Sequence, residues 1–191
     1  ANKRSIEEGF DTAYSYTGAT FDAFGSCMNL DGLVFSPSVM AYRLPTEAEW
    51  VYAAERNWNP EKGWHNGNSG FELQNVCTSF VGEDSLCDMA GNVMEWVNDW
   101  FTPLRDTTVH NFVGAPDGGT LGERVVKGGS YRNAVGSINR YSRGDIYTVT
   151  SASQSDYVGF RLAFGAIESP VWLGKDGKQV NSVVSVLAGA M

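Results

Sequence analysis

The residue types best suited to chemistry lie close together in Asp88-Met-Ala-Gly-Asn-Val-Met-Glu95-Trp96-Val-Asn-Asp99-Trp100. Asp88 and Glu95 offer hard oxygen ligands, and Gly91 lets the backbone turn its carbonyls toward whatever the carboxylates face. Such a set could hold a hard cation, although its spacing is not that of an EF-hand loop. In the alternative reading Asp88 closes a turn, Glu95 pairs with an arginine, and Met94, Trp96 and Trp100 are core. The three cysteines are Cys27, Cys77 and Cys87. Cys77 and Cys87 flank Gly82-Glu-Asp-Ser85, which fits either a local disulfide or two buried thiols. Cys27 is then left over. His65 and His110 are the only histidines. They are far apart, and no His/Cys set has zinc or nonheme-iron spacing. Ser130 and Ser137 have no histidine nearby in sequence to activate them, so neither reads as a nucleophile.

The elements that must position these groups are mostly short. After Val93 the apolar residues fall at mixed spacing, which predicts a tight turn running into a short buried strand. Thr46 followed by Glu49 is a capping box, and Trp50, Ala53 and Ala54 share one face, with Glu47 and Glu55 elsewhere; together they predict a helix from about 47 to 57. Ala1-Asn-Lys-Arg-Ser-Ile-Glu-Glu-Gly9 reads as the end of a helix with Gly9 just past it. Residues 10–41 read as two or three short strands or loops, with Tyr14, Tyr16, Phe21 and Phe24 in core and hairpin packing. Residues 57–86 and 101–124 are rich in Gly, Pro and Asn and read as loops. Val125-Val126 leads into Lys127-Gly-Gly-Ser-Tyr131, a strand with a glycine pair that permits close backbone approach. Tyr157-Val-Gly-Phe-Arg-Leu-Ala-Phe164 reads as a last strand, with Phe160 in the core and Arg161 seeking a carboxylate. The Pro, Gly and Ser content of residues 165–191 reads as an extension or linker.

A chain of 191 residues is long enough for one domain with a sizeable core. The net charge of −8 argues against nucleic acid and anionic membrane as partners, since both call for a basic surface. No apolar run approaches the roughly 20 residues a membrane helix needs. The 22 glycines and frequent aromatics suit a domain with much irregular backbone.

Four blocks, in order, resemble the signatures of the formylglycine-generating enzyme family, also called sulfatase-modifying factors. They are Tyr42-Arg-Leu-Pro-Thr-Glu-Ala-Glu-Trp50, Gly91-Asn-Val-Met-Glu-Trp96, Val126-Lys-Gly-Gly-Ser-Tyr131 and Gly159-Phe-Arg-Leu162. The resemblance covers roughly residues 1–164 and implies an α+β, irregular, loop-rich variant of the C-type lectin fold. Family members carry a strand and most of a helix before the point where this chain starts, so the N-terminal part of the domain is expected to be missing. Residue by residue, the resemblance carries a structural calcium onto Asp88, Gly91, Val93 and Glu95. Relatives also bind metal through the region of Trp64, Asn66, Asn68 and Ser69, but the match there is too poor to transfer ligands.

The family's oxidase chemistry uses two cysteines after Gly-Gly-Ser-Tyr, which hold copper(I) as soft thiolates. Those positions fall at Asn133 and Ile138, and no cysteine follows Cys87. Neither copper nor iron is expected. The resemblance therefore implies a non-catalytic, extracytoplasmic binding or scaffold domain. Its ligand surface is expected at Arg132, Asn133, Asn139, Arg140, Tyr141, Arg143 and Tyr147, residue types that grip carboxylates and sugar hydroxyls or stack on a sugar face. Glycan and protein both fit as ligand. Two alternatives stay open: an enzyme of the same superfamily with different chemistry, and a retroelement-diversified variable binding protein.

Overall fold

The structure is a computed structural model, and it describes residues 1–25, 27–118, 122–144 and 155–180. Its architecture is α+β, with two α-helices and many short strands. Helix α1 (Asn2–Glu7) ends at Glu8, and Gly9 follows at φ 80°. The Phe10 amide donates to the Ser5 carbonyl and the Gly9 amide to that of Ile6, which closes the helix in a Schellman motif. Strands β1 (Tyr14–Ser15), β2 (Gly18–Phe21), β3 (Cys27–Asp31) and β4 (Val34–Phe35) form two antiparallel pairs, β2 with β3 inside β1 with β4. Tyr14 stacks on Phe35, but Tyr16, Phe21 and Phe24 stand in solvent and are not core. Among the described residues β2 and β3 form a sheet of only these two strands.

Strand β5 (Tyr42–Arg43) leads into α2 (Glu47–Arg56). The Thr46 hydroxyl accepts from the Glu49 amide while the Glu49 carboxylate accepts from the Thr46 amide. Both halves of the capping box are thus present, and Arg43 also holds Glu49 with two bonds of 2.7 Å. Trp50 and Ala54 pack against Met89, Val97 and Val125 in the main core cluster. That cluster includes strands β6 (Met94–Trp100) and β7 (Arg124–Lys127). They pair antiparallel, and β8 (Val158–Phe160) joins the other edge of β6 in parallel, with Glu95 opposite Gly159. β8 is short, and Tyr157 and Val158 already fill the space beside Met94 and Val126. Phe160 is consequently 63% exposed rather than in the core.

Strand β9 (Ala163–Phe164) returns to β5. Residues 165–180, an extension or linker by composition, fold back onto the domain. The Ile167 amide donates to Pro37, and residues 111–114 and 171–173 exchange backbone bonds. β10 (Trp172–Leu173) and β11 (Gln179–Val180) then form a hairpin, with Trp172 buried. The burial of Trp172 accounts for this packing despite the turn-rich composition. No helix among the described residues is long and apolar enough to cross a membrane.

Candidate functional site

Strand β6 places Glu95 between α2 and β8. Its carboxylate accepts from Trp50 Nε1 at 2.7 Å and from Arg161 Nε and Nη2, both at 2.5 Å. Arg161 Nη2 also reaches the carbonyls of Cys87 and Asp88. The carboxylate sought by Arg161 is therefore Glu95. Asp88 stands at φ 54°, and its Oδ2 accepts from the Cys77 amide at 2.7 Å. Its Oδ1 is buried without a hydrogen-bond partner among the described residues. Gly91, at φ 80°, lies so close to Trp64 that a Cβ would meet the Trp64 carbonyl oxygen at 2.1 Å, so only glycine fits. The fit of these residues to a calcium ion is divided. The orphaned Asp88 oxygen suits a hard cation, whereas Glu95 already accepts three hydrogen bonds, two of them from the Arg161 cation, which competes with a metal ion. Cys77 and Cys87 are joined in a disulfide, with Cα atoms 5.1 Å apart, and Cys27 is free and exposed.

The segment after β7 forms a second cluster. Gly128 and Gly129 both have positive φ, and a Cβ on Gly129 would meet Ile138 Cγ1 at 2.9 Å. Ile138 is buried over this turn. Asn133 folds back: its Oδ1 accepts from the Ser130 amide at 2.8 Å and the Ser130 hydroxyl at 2.9 Å, and its carbonyl accepts from Asn66. The Ser137 hydroxyl donates to Ala134. Asn133, Ser137, Asn139 and Ser142, with Gly128 and Gly144, line a polar pocket of about 40 Å³. That is room for about one water or a small ion. Beside it the Asn139 side chain accepts from the Tyr141 amide, and Arg140 lies 4.9 Å from the centre of the exposed Tyr141 ring. Arg132 sits over the rings of Tyr131 and Tyr157 and pairs with Asp156 at 2.6 Å.

Of the seven residues expected on a ligand surface, then, Asn133 and Asn139 meet in the pocket, and half-buried Arg140 and exposed Tyr141 lie beside it. Arg132 is held by its own neighbours, and Tyr147 lies outside the described residues. Arg143 does not join this surface. It turns inward, where its Nε and Nη2 bond Glu47 at 2.8 and 2.5 Å and its Nη1 bonds the Thr102 carbonyl.

Arg143 belongs to a buried charge network that sequence reasoning missed. Glu47, expected on the polar side of α2, is only 8% exposed and also bonds Lys127 Nζ at 3.3 Å. The Glu47 amide donates to Asp99 Oδ2 at 2.7 Å, while Asp99 Oδ1 has no partner. Burial pushes the Asp99 carboxyl up to about 7, against the hydrogen bond from the Glu47 amide and the nearby Arg143 and Arg124. Burial likewise lowers Arg124 to about 10 and moves Lys127 down. A charged residue directly after an apolar pair, as in Val125-Val126-Lys127 at the end of β7, was the available signal: once buried it needs a partner.

Comparison with known proteins agrees with this arrangement. The family model of the sulfatase-modifying factor enzyme 1-like domain matches residues 1–166. The formylglycine-generating enzyme of Streptomyces coelicolor is 34% identical over 149 residues, which cover 63% of this chain and 46% of that protein. The one from Mus musculus is 32% identical over 149 residues, covering 63% and 38%. The chain thus spans less than half the length of these relatives. Treponema denticola variable protein 1 superposes with a TM-score of 0.69 at 23% identity, covering 86% of this chain and 66% of that one. CarF superposes at 0.58 and 23% identity, covering 86% and 62%. These likenesses show the fold, an irregular α+β arrangement of the C-type-lectin-like type. The chain belongs to the family of sulfatase-modifying factor enzyme 1-like domains.

Proposed function

We propose that this domain is a non-catalytic member of its family, which binds a glycan or protein ligand on the surface around the polar pocket at Asn133 and Asn139. One observation carries the reading. Aligned on Lys127-Gly-Gly-Ser-Tyr131, the positions at which the resemblance places the oxidase thiolates fall at Asn133, locked onto Ser130, and Ile138, packed over Gly129. An amide oxygen and an aliphatic side chain cannot hold copper(I), and no cysteine follows Cys87. The frame around them is intact, from the capped helix α2 to the Glu95–Arg161 pair. Half-buried Arg140 and exposed Tyr141 supply a guanidinium and a ring suited to sugar hydroxyls, carboxylates or a sugar face. A glycan and peptide array comparing wild type with Arg140→Ala and Tyr141→Ala tests this. Binding that both substitutions weaken supports the surface, and no binding by wild type refutes it.

Two further parts of the proposal rest on separate observations. The Cys77–Cys87 disulfide supports an extracytoplasmic site of action, where such bonds persist. The orphaned Asp88 Oδ1 supports a structural calcium held by that carboxylate and the carbonyls of Gly91 and Val93. The competing reading, an enzyme of the same superfamily, is favoured by relatives that are formylglycine-generating enzymes at 30–34% identity. It predicts copper or iron binding with oxygen consumption, which the binding reading does not.

A further inference from the structure

A second cavity, of about 700 Å³, opens on another part of the molecule, between the connection after β6, the start of α2 and the β10–β11 hairpin. Its size falls in the range of roughly 300–1,000 Å³ that small-molecule sites occupy. The walls are apolar, built from Phe101, Pro103, Leu104, Val109, Phe112 and Leu173. The charged groups on its lining are Arg105, Arg143 and Lys175 against Glu123. Arg143 is already balanced by Glu47. Arg105 and Lys175 make no ion pair with a carboxylate among the described residues. Arg105 is nevertheless held in place: its Nη2 donates to the Lys175 carbonyl, and its guanidinium lies against Gly177 in the hairpin turn.

Two positive groups at the edge of an apolar cavity are out of keeping with a chain of net charge −8. With Arg143 neutralised by Glu47, Arg105 and Lys175 outnumber the single lining carboxylate, Glu123. A net positive edge attracts an anion, and apolar walls gain free energy only when an apolar body covers them. Leu173 and Lys175 lie beyond residue 166, where the family match ends. This cavity is therefore completed by the extension and is separate from the surface at Asn133 and Tyr141. We propose that it binds a soluble small amphipathic anion: a carboxylate or sulfonate head at Lys175 and Arg105, and an apolar body against Phe101, Leu104 and Leu173.

Two fluorescent probes with the same aromatic body test this directly. 1-Anilinonaphthalene-8-sulfonate carries an anionic head, and N-phenyl-1-naphthylamine lacks it. The folded wild-type chain should bind the sulfonate saturably, at one per chain, and more tightly than the neutral probe. Lys175→Gln should weaken sulfonate binding by about threefold or more, as expected for losing one partly solvated charge, and leave the neutral probe unchanged. Ala48→Trp, at an exposed helix position on the cavity wall, should block both probes. Both substitutions are at exposed positions, and a thermal melt confirms that each variant is folded. Equal affinity for the two probes, a Lys175→Gln variant that binds the sulfonate as wild type does, or undiminished binding by Ala48→Trp would each overturn the proposal.

Discussion

Asp99 should make this domain less stable as pH rises, and Asp99→Asn should abolish that dependence. The Asp99 side chain is 2% exposed and titrates at about 7, against an ordinary 3.8. Its folded-state value is raised, so the folded chain keeps a proton that the unfolded chain gives up. Stability from this group is fully present below about pH 4 and is lost as pH climbs through about 7. The interval is roughly 3 pH units at about 1.4 kcal/mol each, a cost on the order of 4 kcal/mol by pH 8. Asparagine keeps an oxygen for the Glu47 amide but cannot ionise, so the variant should hold its stability where wild type declines. For a domain of this size each kcal/mol shifts the melting temperature by roughly 2–4 °C. Asp99→Asn should therefore melt several degrees above wild type at pH 8, and the two curves should converge toward pH 4. Urea unfolding at pH 4.5, 6 and 8 on both proteins measures the difference. Parallel pH profiles for wild type and variant would refute the assignment of the loss to Asp99.

The partner of that network gives a complementary result. Glu47→Ala strips the counter-charge from buried Lys127 and Arg143, and should destabilise by about 3–5 kcal/mol in urea unfolding; a loss below about 1 kcal/mol would mean the two cations find other partners. Protein purified from an oxidising compartment should show one reactive thiol under denaturing conditions, that of Cys27, and three would rule out the Cys77–Cys87 bond. Calcium added back after chelation should raise the melting temperature of wild type through binding to the folded state, and raise that of Asp88→Ala less. An unchanged wild-type melt would refute the calcium.

What was legible in the sequence was what is local. Thr46 and Glu49 announce helix α2 because a capping box is made within four residues and needs no tertiary partner. Gly9 announces the end of α1 for the same reason. The carboxylate partner of Arg161 was legible only as a class of residue. Its identity depends on β8 lying parallel to β6, which brings position 159 opposite position 95. Glu47 misled because its place in the first turn of a helix looks solvent-facing; only the return of Lys127 and Arg143 from far along the chain encloses it. Phe160 misled in the opposite sense, since a three-residue edge strand can leave an aromatic uncovered. At the site, Asn133 and Ile138 could be placed by motif, but their new partners, Ser130 and Gly129, emerge only when the glycine turn is folded.

The central claim, binding without oxidase catalysis, is tested most directly by incubating the purified domain with copper and a peptide bearing the Cys-X-Pro-X-Arg sulfatase motif. Mass spectrometry then reads the conversion of cysteine to formylglycine. The chemistry of Asn133 and Ile138 predicts no conversion above a no-protein control; turnover above that control would contradict it.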